Sequence, residues 1–140
     1  IKVDKNGVVT IPKKYVGSAK ITIKAAETKN YAEAVKTITV SVKPEKTRVI
    51  KVKNVSKSSI EIQWKKISYA TGYEIQYSTD KNFKKSVKKK TIKKPNTTSY
   101  TVGKLKKGNT YYVRIRTYKK TGAQMNYSLL SSTNKVVKKG

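Results

Sequence analysis

The stretch that decides the fold is Leu105-Lys106-Lys107-Gly108-Asn109-Thr110-Tyr111-Tyr112-Val113-Arg114-Ile115-Arg116. A Lys-Lys-Gly-Asn turn leads into strict alternation, with Tyr111, Val113 and Ile115 on one side and Tyr112, Arg114 and Arg116 on the other. A period of two describes a strand with one face on a core and the other toward solvent. The same pattern recurs outward along the chain. Ile60, Ile62 and Trp64 alternate with Glu61 and Gln63, and Tyr73, Ile75 and Tyr77 alternate with Glu74 and Gln76. Val49-Ile50-Lys51-Val52, Ser99-Tyr100-Thr101-Val102 and a last segment including Lys135-Val136-Val137 add further short strands. No apolar stripe of helical period competes with them. Short strands separated by turn residues at roughly ten-residue spacing predict a β-sandwich over residues 45–140.

Residues 1–44 carry the same signal. Val3 and Val8-Val9-Thr10-Ile11 flank the turn Lys5-Asn6-Gly7, which predicts a hairpin. Lys20-Ile21-Thr22-Ile23-Lys24 and Thr37-Ile38-Thr39-Val40-Ser41-Val42 are two more alternating runs. Between them the alanines of the Ala25–Val35 segment are interrupted by Thr28, Asn30 and Tyr31, which favours a loop or short turn. Lys43-Pro44-Glu45-Lys46-Thr47 is polar, carries one of three prolines and follows a strand, so it marks the domain boundary. A segment as short as 1–44 cannot close a two-sheet sandwich by itself.

Composition narrows function. The 140 residues hold 34 Lys+Arg against 7 Asp+Glu, a formal charge of +27, with no His and no Cys. Imidazole bases, thiolate nucleophiles and the usual zinc, haem and iron–sulfur ligands are therefore absent, and no metal or cofactor is expected. Disulfides are excluded. Glu61 and Glu74, the carboxylates nearest to a catalytic pair, sit at outward positions on strands expected in different sheets, so a non-enzyme is expected. The cations are Lys except for Arg48, Arg114 and Arg116. Specific nucleic-acid readers lean on Arg, so lysine in this excess reads as solvating charge with diffuse attraction to polyanions. No run is long and apolar enough to span a membrane.

The second segment resembles a fibronectin type III domain. The likeness rests on Trp64 closing its strand, on Gly72-Tyr73-Glu74-Ile75-Gln76-Tyr77, and on the Leu105–Arg116 stretch, which is similar to the family's tyrosine corner. The resemblance implies that the Tyr111 hydroxyl bonds back to backbone near Leu105, and that Trp64, Tyr73, Leu105 and Tyr111 are structural. Integrin-binding members carry Arg-Gly-Asp in the loop between the last two strands. Here that loop, 119–126, reads Lys-Lys-Thr-Gly-Ala-Gln-Met-Asn, which does not support that mode. Residues 1–44 resemble the C-terminal half of a bacterial immunoglobulin-like domain of group 2, with its N-terminal strands missing. The lysine-rich character is similar to that of domains in surface proteins of Gram-positive bacteria. Together these resemblances imply a non-catalytic spacer and adhesion module, at a cell surface or secreted, within a larger parent protein. An alternative is a filament or pilus-like subunit whose partial domain is completed by strands from another chain.

Two constellations are candidate sites. Tyr112, Arg114, Arg116 and Tyr118 share one strand face and offer planar groups for stacking on sugars or gripping carboxylates and sulfates. The competing reading is cross-strand packing, with Arg114 or Arg116 paired to Glu74. Lys84, Lys85, Lys88, Lys89, Lys90, Lys93 and Lys94 form the second, a patch for anionic polysaccharide or cell-envelope polymer. Its competing reading is an edge strand blunted by lysine against aggregation. A Lys–Asn isopeptide bond would need a carboxylate beside a buried lysine, a part that Glu27 or Glu33 would have to play.

Overall fold

The computed structural model describes residues 1–139, which contain strands, turns and bends and no helix. The chain divides into two compact units, Ile1–Lys43 and a second that begins at Pro44.

In the first unit, β1 (Lys2–Val3) pairs antiparallel with β2 (Val9–Thr10). Asp4 closes the turn, its Oδ1 accepting from the amides of Asn6 and Val8 at 2.9 and 2.8 Å. The left-handed conformation there falls on Gly7, at φ 80°. β3 (Gly17–Ala25) pairs antiparallel with β4 (Ala34–Val42) over their whole length. The alternating runs thus extend further than the sequence suggests, leaving only 26–33 as connection, closed by a Thr28–Tyr31 bridge. One face of this ribbon carries Ala19, Ile21, Ile38 and Val40, and the other carries Ser18 hydrogen-bonded to Ser41. No residue of 1–43 is buried, and Ile23 remains 53% exposed.

Eight strands follow: β5 (Val49–Ser56), β6 (Ser59–Trp64), β7 (Gly72–Ser78), β8 (Lys88–Ile92), β9 (Ser99–Val102), β10 (Thr110–Thr121), β11 (Gln124–Tyr127) and β12 (Asn134–Val137). One sheet runs β5-β6-β9. The other runs β8-β7-β10, with β11 and β12 both pairing along the far edge of β10. Ile60, Ile62 and Trp64 meet Tyr73, Ile75, Val113 and Ile115 in the single core between the sheets. The Trp64 and Tyr73 rings lie 5.4 Å apart and tilted. Tyr73 buries its ring yet satisfies its hydroxyl, which accepts from the Ile67 amide at 3.0 Å and donates to the Pro95 carbonyl at 3.2 Å.

The 119–126 segment is a β-hairpin rather than a loop: β10 runs on to Thr121, turns at Gly122 (φ 60°) and returns as β11. Met125 stands partly exposed on that returning strand, with its sulfur 3.8 Å from the Tyr127 hydroxyl. Between β11 and β12 the edge of β10 is completed by serines. Ser128 and Ser131 accept from the amides of Thr117 and Ile115 through Oγ, at 3.0 and 2.9 Å. Their own amides return bonds to the Thr117 and Ile115 carbonyls, so no ladder group is left open there.

Candidate functional site

The outward face of β7 and β10 is a network closed on itself. Arg116 donates to Glu74 Oε1 from Nε at 3.0 Å and pairs with the same oxygen through a terminal nitrogen at 2.9 Å. Gln76 donates to that oxygen at 2.7 Å, and Arg114 Nε donates to Gln76 Oε1 at 2.8 Å. Each guanidinium is also roofed by an aromatic ring. Arg114 lies 3.9 Å from the Phe83 centroid and Arg116 lies 3.7 Å from that of Tyr127. Glu74 and Gln76, expected to face solvent, are consequently buried at 6% and 4% exposure.

These contacts fix where the first constellation stands. Arg114 and Arg116 lie on one face with Tyr112, already engaged by Gln76 and Glu74. Tyr118 is a correction to the expected open face: it is buried, packed on Tyr127 at 6.1 Å between ring centroids. Desolvation, and then Tyr127, raises its hydroxyl pKa, which keeps the phenol neutral. Burial, and then the charge of Arg116, presses the Arg114 pKa down, although a guanidinium stays charged in proteins.

The lysine patch divides between two settings. Lys88, Lys89 and Lys90 lie on β8, which pairs only with β7 and so forms a sheet edge. Lys90 also lies 5.3 Å over the Tyr100 ring. Lys93 and Lys94 follow the strand, while Lys84 and Lys85 belong to the loop before it. That loop is organised by Asp80. Its Oδ1 accepts from the Asn82 amide and its Oδ2 from those of Lys84 and Lys85, at 2.9 to 3.1 Å. The Asn82 and Lys84 bonds lead in holding the Asp80 pKa below its ordinary value.

The tyrosine of the deciding stretch makes the expected bond: the Lys106 amide donates to the Tyr111 hydroxyl at 3.0 Å. Beside it, at the mouth of the sandwich, a hollow of about 230 Å³ is lined by Tyr77, Tyr111, Lys88, Lys104 and Lys106 among others. A second hollow, of about 320 Å³, is lined by Lys46, Arg48 and Lys65 without an aromatic wall.

Lys138 escaped sequence reasoning. It is 1% exposed, and its Nζ donates to Asn54 Oδ1 at 2.7 Å and to the Lys139 carbonyl. Asn54 in turn donates to the Val137 carbonyl at 3.0 Å, tying β5 to the end of β12. One lysine among so many carries no sequence signal of burial. Glu27 and Glu33 are exposed, and no lysine of 1–43 is buried beside them. Among the described residues no three carboxylates gather into a metal site.

The sequence family described as fibronectin type III domain matches residues 42–134. The chain belongs to the fibronectin type III family. Solved fibronectin type III structures share its fold. The chicken CNTN1 FN1-FN3 domains match 92% of this chain at 17% identity with a TM-score of 0.60. The chain spans 46% of that fragment. The fn3 domain of human contactin 1 matches 69% of this chain and 79% of its own at 17% identity, TM-score 0.55. That of human collagen alpha-1(XX) matches 71% of this chain and 90% of its own at 12% identity, TM-score 0.57. No curated protein matches in sequence. Fibronectin type III domains are typically extracellular, non-catalytic modules of adhesion and spacing.

Proposed function

We propose that this fibronectin type III chain is a non-catalytic, cationic spacer and adhesion module at the surface of, or secreted by, a Gram-positive bacterium. In this reading residues 1–44 are the C-terminal part of a bacterial immunoglobulin-like domain and residues 45–140 the fibronectin type III domain, both within a larger parent protein. Its partners are anionic polysaccharides or cell-envelope polymers, and no specific nucleic acid. The observation that carries the proposal is the disposition of charge. Glu61 is taken by Lys53, Glu74 by Arg116, and Asp80 by backbone amides, so the edge lysines of β8 face solvent without carboxylate partners. Such a surface attracts polyanions over about a Debye length, ~8 Å at physiological salt, without a shaped site.

Chromatography on immobilised heparin and on lipoteichoic acid tests this. Retention at low salt that falls steeply with added salt is expected, and it should weaken when Lys84, Lys85, Lys89 and Lys93 become Gln. A wild-type chain that flows through both columns at low salt overturns the adhesion reading.

The uncovered apolar face of β3 and β4 supports a second reading, a filament subunit completed by strands of another chain. Two-stranded ribbons are rarely stable without a covering layer. Light scattering separates the two: concentration-dependent growth supports the filament, and a monomer with protected β3 and β4 amides removes it.

A further inference from the structure

We infer that the hollow at the mouth of the sandwich is a discrete binding site for one anionic sugar residue, a ring bearing a phosphate, sulfate or carboxylate. The inference rests on the adhesion reading for its class of polymer and adds a place where a single unit of that polymer docks.

Three observations lead there. The first is the chemistry of the walls. Tyr77, half-buried, and Tyr111, 7% exposed, line the same hollow of about 230 Å³ as the exposed Lys88, Lys104 and Lys106. None of the three pairs with a carboxylate among the described residues, and Asp80, the acid nearest in sequence, spends both oxygens on backbone amides. Lysine is a compact charge with rotatable donors and suits a tetrahedral or carboxylate oxyanion, while an aromatic wall suits the apolar face of a pyranose ring. Burial, with Tyr100 and Tyr111 nearby, raises the Tyr77 phenol pKa, so it stays neutral and able to donate.

The second observation is rigidity. Lys106 is held by the Tyr111 hydroxyl at 3.0 Å, and the adjacent Leu105 amide donates to the Ser58 carbonyl at 2.8 Å. Gly108 and Asn109 exchange backbone bonds with Lys138 on the far side of the same loop. Ser78 Oγ, also of the lining, donates to the Lys85 carbonyl at 2.7 Å, fixing the loop that carries Ser86. A site built this way loses little freedom when a ligand enters.

The third is backbone conformation. Ser86 and Lys104, which line the hollow from the β7–β8 and β9–β10 connections, are both non-glycine residues in the left-handed region, at φ 51° and 58°. Such residues are uncommon and gather where the surroundings impose a geometry for function. The second hollow, by Lys46 and Lys65, has cations but no aromatic wall, and the outward face of β10 has its guanidinium groups already occupied.

The test is a titration of the full chain, followed by amide chemical shifts at physiological salt. The probes are glucose 6-phosphate, glucose 6-sulfate and glucuronic acid, with glucose and inorganic phosphate as controls. At least one charged sugar should shift Tyr77, Ser86 and Lys104–Asn109 saturably, and the rank of the three identifies the anion. Glucose and phosphate should each bind about tenfold more weakly, since each supplies half of the contacts. Lys104→Asn with Lys106→Gln should weaken binding about tenfold or more, and Lys88→Gln alone less, while the equal charge loss of Lys89→Gln with Lys93→Gln should change it under about threefold. Asn tolerates the left-handed position, so the double variant keeps its fold. Absence of saturable shifts, phosphate matching the sugar phosphate, or equal losses in pocket and edge variants would each overturn the site. Heparin retention in the same salt series tells the two failures apart. Retention without sugar binding removes the pocket and leaves the adhesion module standing.

Discussion

Arg116 lies with its guanidinium carbon 3.7 Å from the Tyr127 ring centroid while two of its nitrogens hold the buried Glu74 carboxylate. The arginine thus joins β10 to β7 by charge and to β11 by stacking. Glu74 is 6% exposed, and Arg116 is its ion-pair partner. Arg116→Ala should destabilise the domain by about 2–3 kcal/mol, under the ~3–5 of a fully buried pair because Arg116 keeps some solvent contact. Arg116→Lys should recover less than half, since an ammonium cannot both stack on Tyr127 and fork onto the carboxylate. Urea denaturation of the two variants checks both, and full rescue by Lys would show that stacking and fork geometry contribute little.

The bond from the Lys106 amide to the Tyr111 hydroxyl makes a second expectation. Tyr111→Phe keeps the ring in the core and removes only that acceptor, leaving a partly buried N–H without its partner. A loss of about 1–2 kcal/mol is expected in denaturant unfolding. Exchange of the Lys106 amide should rise before that of core strands, because the loop is held there.

Most of the sandwich was legible because its strands obey a period of two on a core face that is wholly apolar. Ile60, Ile62 and Trp64, and Tyr111, Val113 and Ile115, are where alternation places them. The outward face was harder to read. Glu74 and Gln76 look like solvent-facing residues, and their burial arises from Arg114, Arg116, Phe83 and Tyr127, which come from three distant segments. The 119–126 hairpin was missed because Lys119, Lys120 and Gln124 give it no apolar alternation, and pairing with β10 rather than burial sustains it. The burial of Lys138 depends on Asn54, 84 positions away, a relation that no local pattern carries.

Gly72 opens β7 at a place where a side chain has no room. A Cβ built there would stand 2.1 Å from the Ile92 carbonyl oxygen and 2.7 Å from the Tyr118 hydroxyl. Gly72→Ala should cost about 3 kcal/mol or more, because a backbone carbonyl in a paired strand cannot step aside. Adding Tyr118→Phe should not restore stability, as it removes the hydroxyl and leaves the carbonyl clash. Thermal melts of single and double variants decide this, and rescue by the second change would place the strain on the tyrosine instead.

Asp80 makes the loop before β8 sensitive to acid. Its carboxylate accepts from the amides of Asn82, Lys84 and Lys85, and these bonds, the Asn82 and Lys84 ones first, hold its pKa below the ordinary 3.8. A folded pKa below the unfolded one means the native loop favours the ionised form. The stabilisation is therefore complete above the ordinary value and is lost as pH falls through the folded one. Between about pH 5 and about pH 2, amide exchange at Asn82, Lys84 and Lys85 should accelerate relative to its intrinsic rate in the wild type. Asp80→Asn should remove that acid response and leave these amides equally fast, after correction, at both ends of the range. The consequence reaches the hollow, because the loop also carries Ser86 and delivers the Lys85 carbonyl to Ser78. If the pocket is shaped by this loop, the Asp80→Asn chain should bind the charged sugar more weakly even at neutral pH, although no ligand contact has been removed. An unchanged affinity would locate the recognition entirely on Lys104, Lys106 and the tyrosine wall.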